Sequence, residues 1–345
     1  MTMRADSGPQ GYAELDPVFV LEALEAVSLR GDGRLLQLNS YENRVFQVHL
    51  EDGTVVVPKF YRPGRWSDDQ ILEEHAFARE LAAADVPVVA PRELACTAKN
   101  ARLVGNPPTL AHVDAGSLGH RMAVCDRHAG RGPELEDPEV LEWLGRFLGR
   151  LHAVGAQGAF EHRRHLSAAW AHAACERIVA GGFIGEAERK PWQSQCDAAI
   201  DGIDRAFESI RPLRALRLHG DFHPGNVMWR DAGPHVVDLD DACNGPAVQD
   251  LWMLLSGDAT AMRRQLATLL EGYRMFMPFD ERELALVEPL RTLRMISHSA
   301  WIAERWSDPA FPIAFPWFGS AGYWSQQAMQ LGEQVEAMRN PLALA

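Results

Sequence analysis

The stretch that decides the fold is residues 219–226, which read His-Gly-Asp-Phe-His-Pro-Gly-Asn. Protein kinases carry the pattern H-R-D-L-x-x-x-N in their catalytic loop, and here the histidine, aspartate and asparagine fall at the same offsets. Phosphoryl transfer needs a carboxylate beside the attacking hydroxyl and an amide oxygen that binds Mg²⁺ without adding negative charge. The spacing therefore predicts that Asp221 accepts the hydroxyl proton and that Asn226 binds magnesium.

A second carboxylate, Asp238, follows twelve residues after Asn226, in the segment 236–241, which reads Val-Val-Asp-Leu-Asp-Asp. An apolar strand that ends in aspartate places the carboxylate at the strand tip, as the D-F-G motif of kinases does for magnesium coordination. Turn residues at 231–234 predict that two short strands fold back on each other. We therefore expect Asn226 and Asp238 to face one Mg²⁺ ion, and Asp238 to act with Asp221 in catalysis.

The same residues allow two other interpretations. His219, Asp221 and His223 are good zinc ligands and would suit a metallohydrolase, but that interpretation gives no role to Asn226 and Asp238. A pseudokinase that only binds partners is disfavoured by the intact set of Asp221, Asn226 and Asp238.

His223 occupies the position that many Ser/Thr kinases fill with lysine, and our hypothesis is that it donates a hydrogen bond to the transferring phosphoryl group.

Parts of a nucleotide site precede this loop. Lys59, one of only three lysines, lies in an apolar strand predicted at 54–61 and resembles the lysine of the kinase motif V-A-I-K. We expect it to hold the α- and β-phosphates of ATP. The next helix, opened by an S-x-x-Q capping box, offers Glu73 and Glu74 as partners for this lysine, and Glu74 is preferred. Pro58 lacks an N–H for the ladder and predicts an edge strand or a bulge beside Lys59.

The loop 40–43 lies where a kinase has its glycine-rich loop, but it contains no glycine. Its backbone amides and the Ser40 hydroxyl are candidates for binding ATP phosphate oxygens, and a plain β-turn is the competing interpretation. Asp250 stands at a helix start, either as a capping carboxylate or as a ligand of catalytic-loop amides. Asp250 comes only 250 − 238 = 12 positions after Asp238, so no long activation segment fits between them.

The order of predicted elements gives the fold class. Further expectations are a first helix that begins at Pro17 and ends at Gly31–Gly33, strands at 34–39, 44–50 and 86–91, and a surface loop at 125–138. From Asp137 onward, apolar residues at helical spacing dominate. We predict an α+β, bilobal protein-kinase-like fold. Residues 1–114 form a small β-rich N-lobe with one inserted helix, which binds nucleotide, and residues 115–345 form a larger, mostly helical C-lobe.

Composition narrows the class of protein. The 345 residues carry a net charge of −13, which is unfavourable for binding nucleic acid or an anionic membrane. The five cysteines are scattered and form no CxxC pair, which disfavours a disulfide framework. No stretch reaches the length of apolar sequence that a transmembrane helix needs. We expect a cytoplasmic monomer.

Several segments resemble a known family. They are 38–44, 59–63, 69–75, 218–255, 306–312 and 315–317, and the most specific match runs through 237–252. They are similar to the stress response kinases, bacterial Ser/Thr protein kinases of the aminoglycoside-phosphotransferase-like superfamily. The resemblance implies ATP as co-substrate, Mg²⁺ bound by Asn226 and Asp238, Asp221 as the proton acceptor, and Ser40 at the ATP site.

The resemblance also implies an acceptor class. It points to the Ser/Thr hydroxyls of proteins, phosphorylated for protection under envelope or oxidative stress. Residue chemistry alone leaves a second acceptor class open, namely the hydroxyl of an amino alcohol, a sugar or an aminoglycoside. The short link after Asp238 suits such small-molecule kinases.

Overall fold

The structure, a computed structural model, describes most of the chain. The described residues are 12, 15–96, 100–115, 118–231 and 233–342. The chain forms two compact units, Met1–Gly132 with Gly225–Asp240 and Pro133–Pro224 with Asp241–Ala345. The boundaries of these units differ from those of the expected lobes, 1–114 and 115–345. That the first lobe binds nucleotide and the second carries the catalytic loop stays a prediction. In the part of the chain that the structure describes, no helix has both the length and the apolar character needed to cross a bilayer.

The first unit is built on a six-stranded antiparallel sheet. Its strands are β1 (Gly31–Leu38), β2 (Arg44–Leu50), β3 (Val55–Phe60), β4 (Ala101–Val104), β5 (Leu110–Ala115) and β6 (Leu118–Asp126). Their order across the sheet is β1-β2-β3-β6-β5-β4. One sheet face buries Val48 and Val56 against Leu24 of the first helix, α1 (Pro17–Ala26). Asp16 caps that helix by accepting a 2.8 Å hydrogen bond from the Phe19 N–H, as the Asp-Pro start predicts.

The predicted edge or bulge at Pro58 is wrong. β3 is an interior strand, paired with β2 on one side and β6 on the other. The pairs Val45–Lys59 and Val48–Val56 have the same register on both sides of the proline, so no residue is inserted there. The Pro58 side chain is buried on the core face. Because side chains alternate along a strand, Lys59 lies on the opposite face of the sheet.

The helix α2 (Asp68–Ala83) begins at the predicted capping box. The Gln70 N–H donates to Ser67 Oγ at 3.2 Å, and the Ser67 N–H donates to Gln70 Oε1 at 2.9 Å. The helix buries Ile71 and Phe77, and Glu74 is buried as well. Local capping chemistry therefore fixes where the helix starts. The start of the helix in turn decides which of its carboxylates faces the interior of the first unit, and that carboxylate is Glu74.

Short strands follow further along the chain. They are β7 (Leu216–Leu218), β8 (Val227–Arg230), β9 (Gly233–Val236) and β10 (Cys243–Gly245). β8 pairs with β9 in the first unit, and β7 pairs with β10 in the second. The β8–β9 hairpin brings the two predicted metal ligands together along the backbone, because the Val237 N–H donates to the Asn226 carbonyl at 3.0 Å.

The second unit is mostly helical. Its helices are α3 (Pro138–Gly155), α4 (Ala169–Gly181), α5 (Glu186–Ser209), α6 (Gln249–Trp252), α7 (Ala259–Tyr273), α8 (Val287–Glu304), α9 (Ala310–Ala314) and α10 (Ala321–Arg339). The predicted apolar stripe of α3 is buried, including Leu144 and Phe147. α3 packs closely on α7, since a side chain at Gly145 would come within 2.0 Å of the Leu269 carbonyl. The α+β class is confirmed.

Three local predictions are corrected. α1 ends at Ala26, before Gly31–Gly33, because the backbone turns left-handed at Ser28, with φ +67°. Residues 86–91 form only isolated bridges, since their two prolines lack N–H donors. The loop predicted at 125–138 begins only at residue 127, because β6 continues to Asp126 by pairing with β3.

Candidate active site

Lys59 is at the centre of an ion cluster in the first unit. Its Nζ lies 3.4 Å from Glu74 Oε1, 3.3 Å from Asp240 Oδ1 and 3.9 Å from Asp238 Oδ1. Burial alone would lower the pKa of this amine, but the carboxylates of Asp240 and Glu74 raise the pKa well above its usual value. Lys59 is therefore a fixed cation that can attract the oxygens of a phosphate group.

Asp238 has an unusual backbone conformation, with φ +64°, in the left-handed region that residues other than glycine seldom adopt. Such strain persists only where the surrounding structure imposes it, and it concentrates at functional sites. Its side chain is 54% exposed, whereas that of Asp240, two residues later, is 5% exposed. The strained turn thus separates an outward carboxylate from a buried one.

Asn226 and Asp238 supply the donor types that a hard divalent cation prefers. Both offer oxygen, one from a neutral amide and one from a carboxylate, and magnesium is commonly held by one or two carboxylates together with substrate phosphates. Asn226 is buried while Asp238 is open, and the backbone bond between Asn226 and Val237 fixes their separation along the hairpin. The residues present fit the predicted magnesium site.

Asp221 lies in the second unit, between two basic side chains. Arg294 Nη1 donates to its Oδ1, and His223 Nε2 lies 3.5 Å from its Oδ2. Burial would raise the pKa of this carboxyl, but the hydrogen bond from His223 and the charge of Arg294 hold the pKa well below its usual range. Asp221 is therefore held as a carboxylate, the form that its predicted role as proton acceptor requires.

The backbone of the predicted catalytic loop is fixed by Asp250. The buried carboxylate accepts the His219 N–H at 2.8 Å and the Gly220 N–H at 2.9 Å. Its Oδ2 also lies 3.1 Å from Nε2 of the buried His152. Of the two interpretations of Asp250, the structure favours the ligand of loop amides. Gly220 is required here, because it has φ +85° and a Cβ would come within 2.2 Å of the Asp241 carbonyl.

His219 is packed in the interior of the second unit. It is fully buried, its Nδ1 accepts the Asp221 N–H at 3.3 Å, and its ring packs at a right angle on Phe222. Phe222 in turn stacks on Phe147 of α3. Within the described residues, no group of three or more His, Cys, Asp or Glu side chains could hold a metal ion. The alternative of a zinc cluster built on His219, Asp221 and His223 gains no support from this arrangement.

The structure divides the predicted site residues between the two units. Lys59, Glu74, Asn226 and Asp238 belong to the first unit, together with Ser40, which is half-buried after β1. Asp221 belongs to the second unit, and residues 222–225 join it to Asn226. The contact that selects Glu74 as the partner of Lys59 is present, while binding of ATP by these residues stays a prediction.

Sequence reasoning missed three charged residues of these clusters. Asp240 lies in the segment 236–241, in which the motif assigns a role only to Asp238. It forms an ion pair with Arg65, which follows the Lys59 strand. Arg294 lies 73 residues after Asp221 in the chain. An acidic residue beside a metal-binding aspartate is a signal that could have identified Asp240, whereas nothing in the sequence links Arg294 to Asp221.

The chain is similar to known phosphotransferases in sequence and in fold. Residues 34–287 match the model of the phosphotransferase enzyme family. Stress response kinase A of Salmonella choleraesuis (strain SC-B67) and serine/threonine protein kinase RdoA of Salmonella typhimurium (strain LT2) are each 40% identical over 332 residues, which cover 96% of this chain and 95% of theirs. Amicoumacin kinase hAmiN, solved with AMP-PNP, Ca²⁺ and Ami, has a similar fold, with a TM-score of 0.69 at 17% identity over 98% of both chains.

Proposed function

The chain belongs to the phosphotransferase enzyme family, and we propose that it is an ATP- and Mg²⁺-dependent kinase that phosphorylates serine or threonine hydroxyls of proteins. The observation that carries the protein acceptor is the 40% identity, over 96% of the chain, to a relative named a serine/threonine protein kinase. The names of the relatives also support a protective role in the stress response. We expect the enzyme to act in the cytoplasm as a monomer.

The proposed roles follow from the chemistry of each residue. Asp221 orients the acceptor hydroxyl and takes its proton, which its ionised state allows. His223 donates a hydrogen bond to the transferring phosphoryl group. Lys59 holds the α- and β-phosphates of ATP, and Glu74 orients Lys59 through their 3.4 Å contact. Ser40 binds a phosphate oxygen at the loop after β1.

Asn226 and Asp238 would hold Mg²⁺, with the phosphates completing its coordination. When bound, the ion neutralises negative charge on the phosphate oxygens. The chain's own contribution is to keep an amide oxygen and a carboxylate oxygen near each other through the β8–β9 hairpin. The strained backbone at Asp238 aims its carboxylate outward, as a residue that meets a ligand requires.

A small-molecule kinase is the second candidate function. It is favoured by the short link after Asp238, since Asp250 follows 250 − 238 = 12 positions later and leaves no room for an activation segment. Amicoumacin kinase hAmiN, a protein with a similar fold, is named for a small-molecule acceptor. The two candidates share the same catalytic residues and differ only in the acceptor.

The deciding experiment is incubation with γ-labelled ATP and Mg²⁺, with a mixture of dephosphorylated proteins or with a panel of amino alcohols, sugars and aminoglycosides. We expect label on serine and threonine of the proteins, and its loss in the Asp221→Ala variant. Label that reaches only small molecules would replace the first candidate by the second.

The protective role is checked in a deletion strain exposed to an oxidant, where the wild-type gene, but not Asp221→Ala, should restore survival.

A further inference from the structure

Asp240 is a buried carboxylate of the first unit that the proposed function does not use. It lies two residues after Asp238, but its side chain faces inward and makes several charged or polar contacts. Oδ1 lies 3.3 Å from Lys59 Nζ, Oδ2 accepts the Asn43 amide at 3.1 Å, and Arg65 Nη1 also donates to Oδ2. Asp240 therefore connects Lys59 with residues from two other parts of the first unit.

One of those parts is the loop 40–43, which follows β1 and lacks glycine. Asn43 contacts Asp240 through its amide nitrogen, and its amide oxygen accepts the Arg62 N–H at 3.1 Å. The Arg62 guanidinium donates to the carbonyls of Tyr41 at 2.9 Å and Glu42 at 3.0 Å. The loop backbone is therefore held by side-chain hydrogen bonds, and Asn43 joins this arrangement to Asp240.

Among the mostly buried charges of this network, which exclude the half-exposed Asp238, cations and carboxylates are equal in number. Lys59, Arg62 and Arg65 are the cations, and Glu42, Glu74 and Asp240 are the carboxylates, all of them mostly buried. Glu42 Oε1 lies 3.2 Å from Arg62 Nε and 3.7 Å from Arg65 Nε, which closes the network around the loop. Removing one buried partner leaves an uncompensated charge, so the network depends on every member.

We propose that Asp240 is a positioning residue that holds Lys59 and the loop 40–43 in place before nucleotide binds. The inference rests on the proposed function, because it assumes that Lys59 and this loop bind ATP phosphates. In this chain an ion network takes the place of a glycine-rich loop, and it fixes the loop through side chains. Since Asp240 follows Asp238 on one short turn, the phosphate lysine, the loop and the metal carboxylate are set together without an activation segment.

The test is Asp240→Asn, which keeps the size of the side chain and removes its charge. We expect the dissociation constant for Mg²⁺–AMP-PNP, measured by calorimetry, to rise about 10-fold or more, since a charge-assisted hydrogen bond is lost at Lys59. Hydrogen exchange of the backbone amides of residues 40–44 should become faster in the variant without nucleotide. In turnover assays, KM for ATP should change more than kcat.

Asp68→Asn is the matched control in the same unit. Asp68 accepts from Arg121 Nε at 2.6 Å and lies 2.8 Å from His112 Nε2, so this change also removes a carboxylate from a cationic site. It should lower thermal stability but leave nucleotide affinity and the exchange of residues 40–44 near the wild-type values. A general loss of packing would instead affect both variants alike.

The two hypotheses fail in different ways. If the wild type does not bind Mg²⁺–AMP-PNP, the proposed function fails. If the wild type binds and Asp240→Asn binds equally well with unchanged loop exchange, the positioning role of Asp240 is wrong. Should Asp240→Asn not fold, Asn43→Ala removes the loop's contact with Asp240 without changing charge. Weaker nucleotide binding and faster loop exchange in that variant support the role, and wild-type values overturn it.

Discussion

At the scale of single residues, Asp221 illustrates how a carboxylate is kept ionised. Its oxygens face Arg294 on α8 and His223 in its own loop, and these two groups outweigh the effect of burial on its pKa. Arg294 is 46% exposed, so solvent screens part of its interaction, yet its guanidinium is in direct contact with the carboxylate. The proposed proton acceptor therefore depends on a residue outside the catalytic motif.

Replacing Arg294 by alanine should move the acidic limb of the pH–activity profile to higher pH. Catalysis by the proposed mechanism needs ionised Asp221, and losing a neighbouring cation raises the pKa of Asp221, so activity disappears sooner as the pH falls. We also expect kcat at neutral pH to fall about 3- to 30-fold, because a charge-assisted hydrogen bond to the acceptor carboxylate is lost. The measurement is kcat from pH 9 down to the lowest pH at which both proteins remain folded.

Arg291→Ala provides the comparison. Arg291 lies one turn earlier on the same helix and pairs with Glu288 at 3.0 Å, so the variant also loses an arginine from an ion pair on α8. Its pH profile should follow the wild type. An identical profile for Arg294→Ala and Arg291→Ala would show that Arg294 does not act through Asp221.

At the scale of elements, the short helix α6 anchors the proposed catalytic loop, residues 219–226. Asp250 in its first turn accepts two loop amides, and Gln249 Nε2 donates to the Gly220 carbonyl at 2.7 Å. Two N–H groups and one carbonyl of the loop backbone are thereby paired, as peptide groups withdrawn from water require. A helix of four residues is too short to be stable by itself, and here its function is to present these side chains.

Asp250→Ala should destabilise the protein by about 2–5 kcal/mol, because the buried N–H of His219 and the partly buried N–H of Gly220 lose their acceptor. The loop would then move, so kcat should fall even under conditions where the variant is folded. Urea unfolding and kcat are the two measurements.

Asp258→Ala serves as the control for this prediction. Asp258 caps α7 by accepting the exposed Ala261 N–H at 2.8 Å, and losing such a cap costs about 1 kcal/mol. Its kcat should stay near the wild-type value. Equal losses of stability in Asp250→Ala and Asp258→Ala would argue against the anchoring role of Asp250.

At the scale of the whole molecule, buried charge makes stability depend on pH. Glu283 lies in the second unit and accepts the Val248 N–H at 2.9 Å, and burial raises its pKa to about 7. The folded protein therefore binds this proton more tightly than the unfolded chain, whose glutamates have a pKa of about 4.3. The contribution favours folding at low pH and is lost as the pH rises through about 7.

Glu283→Gln should flatten this part of the pH dependence. Between pH 5 and pH 8 the free energy of unfolding of the wild type should fall relative to the variant by up to about 3 kcal/mol, because the amide cannot ionise but still accepts a hydrogen bond. Urea unfolding at several pH values measures the difference. Glu281→Gln, at an exposed carboxylate two residues earlier, should keep the wild-type slope. Parallel curves for the wild type and Glu283→Gln would contradict the prediction.

Much of the fold was predictable because local signals determine local structure. The S-x-x-Q capping box fixed the start of α2, and the apolar stripe of α3 fixed its buried face, since capping and helical periodicity act over a few residues. Pro58 was misread for the same reason. Its lack of a donor is a local property, whereas the position of β3 between β2 and β6 depends on the whole sheet.

For the candidate site, the sequence by itself determined the residue types and their spacing, namely Asp221, Asn226, Asp238 and the lysine at 59. Only the tertiary structure decided which charges surround them. Arg65 and Asp240 are 175 residues apart, and Asp221 and Arg294 are 73 apart, yet each pair is in contact. Ion pairs between distant residues follow from how sheet and helices pack, and no periodicity in the chain encodes them. The proposed catalytic motif is therefore a property of the sequence, and the charges that surround it are a property of the fold.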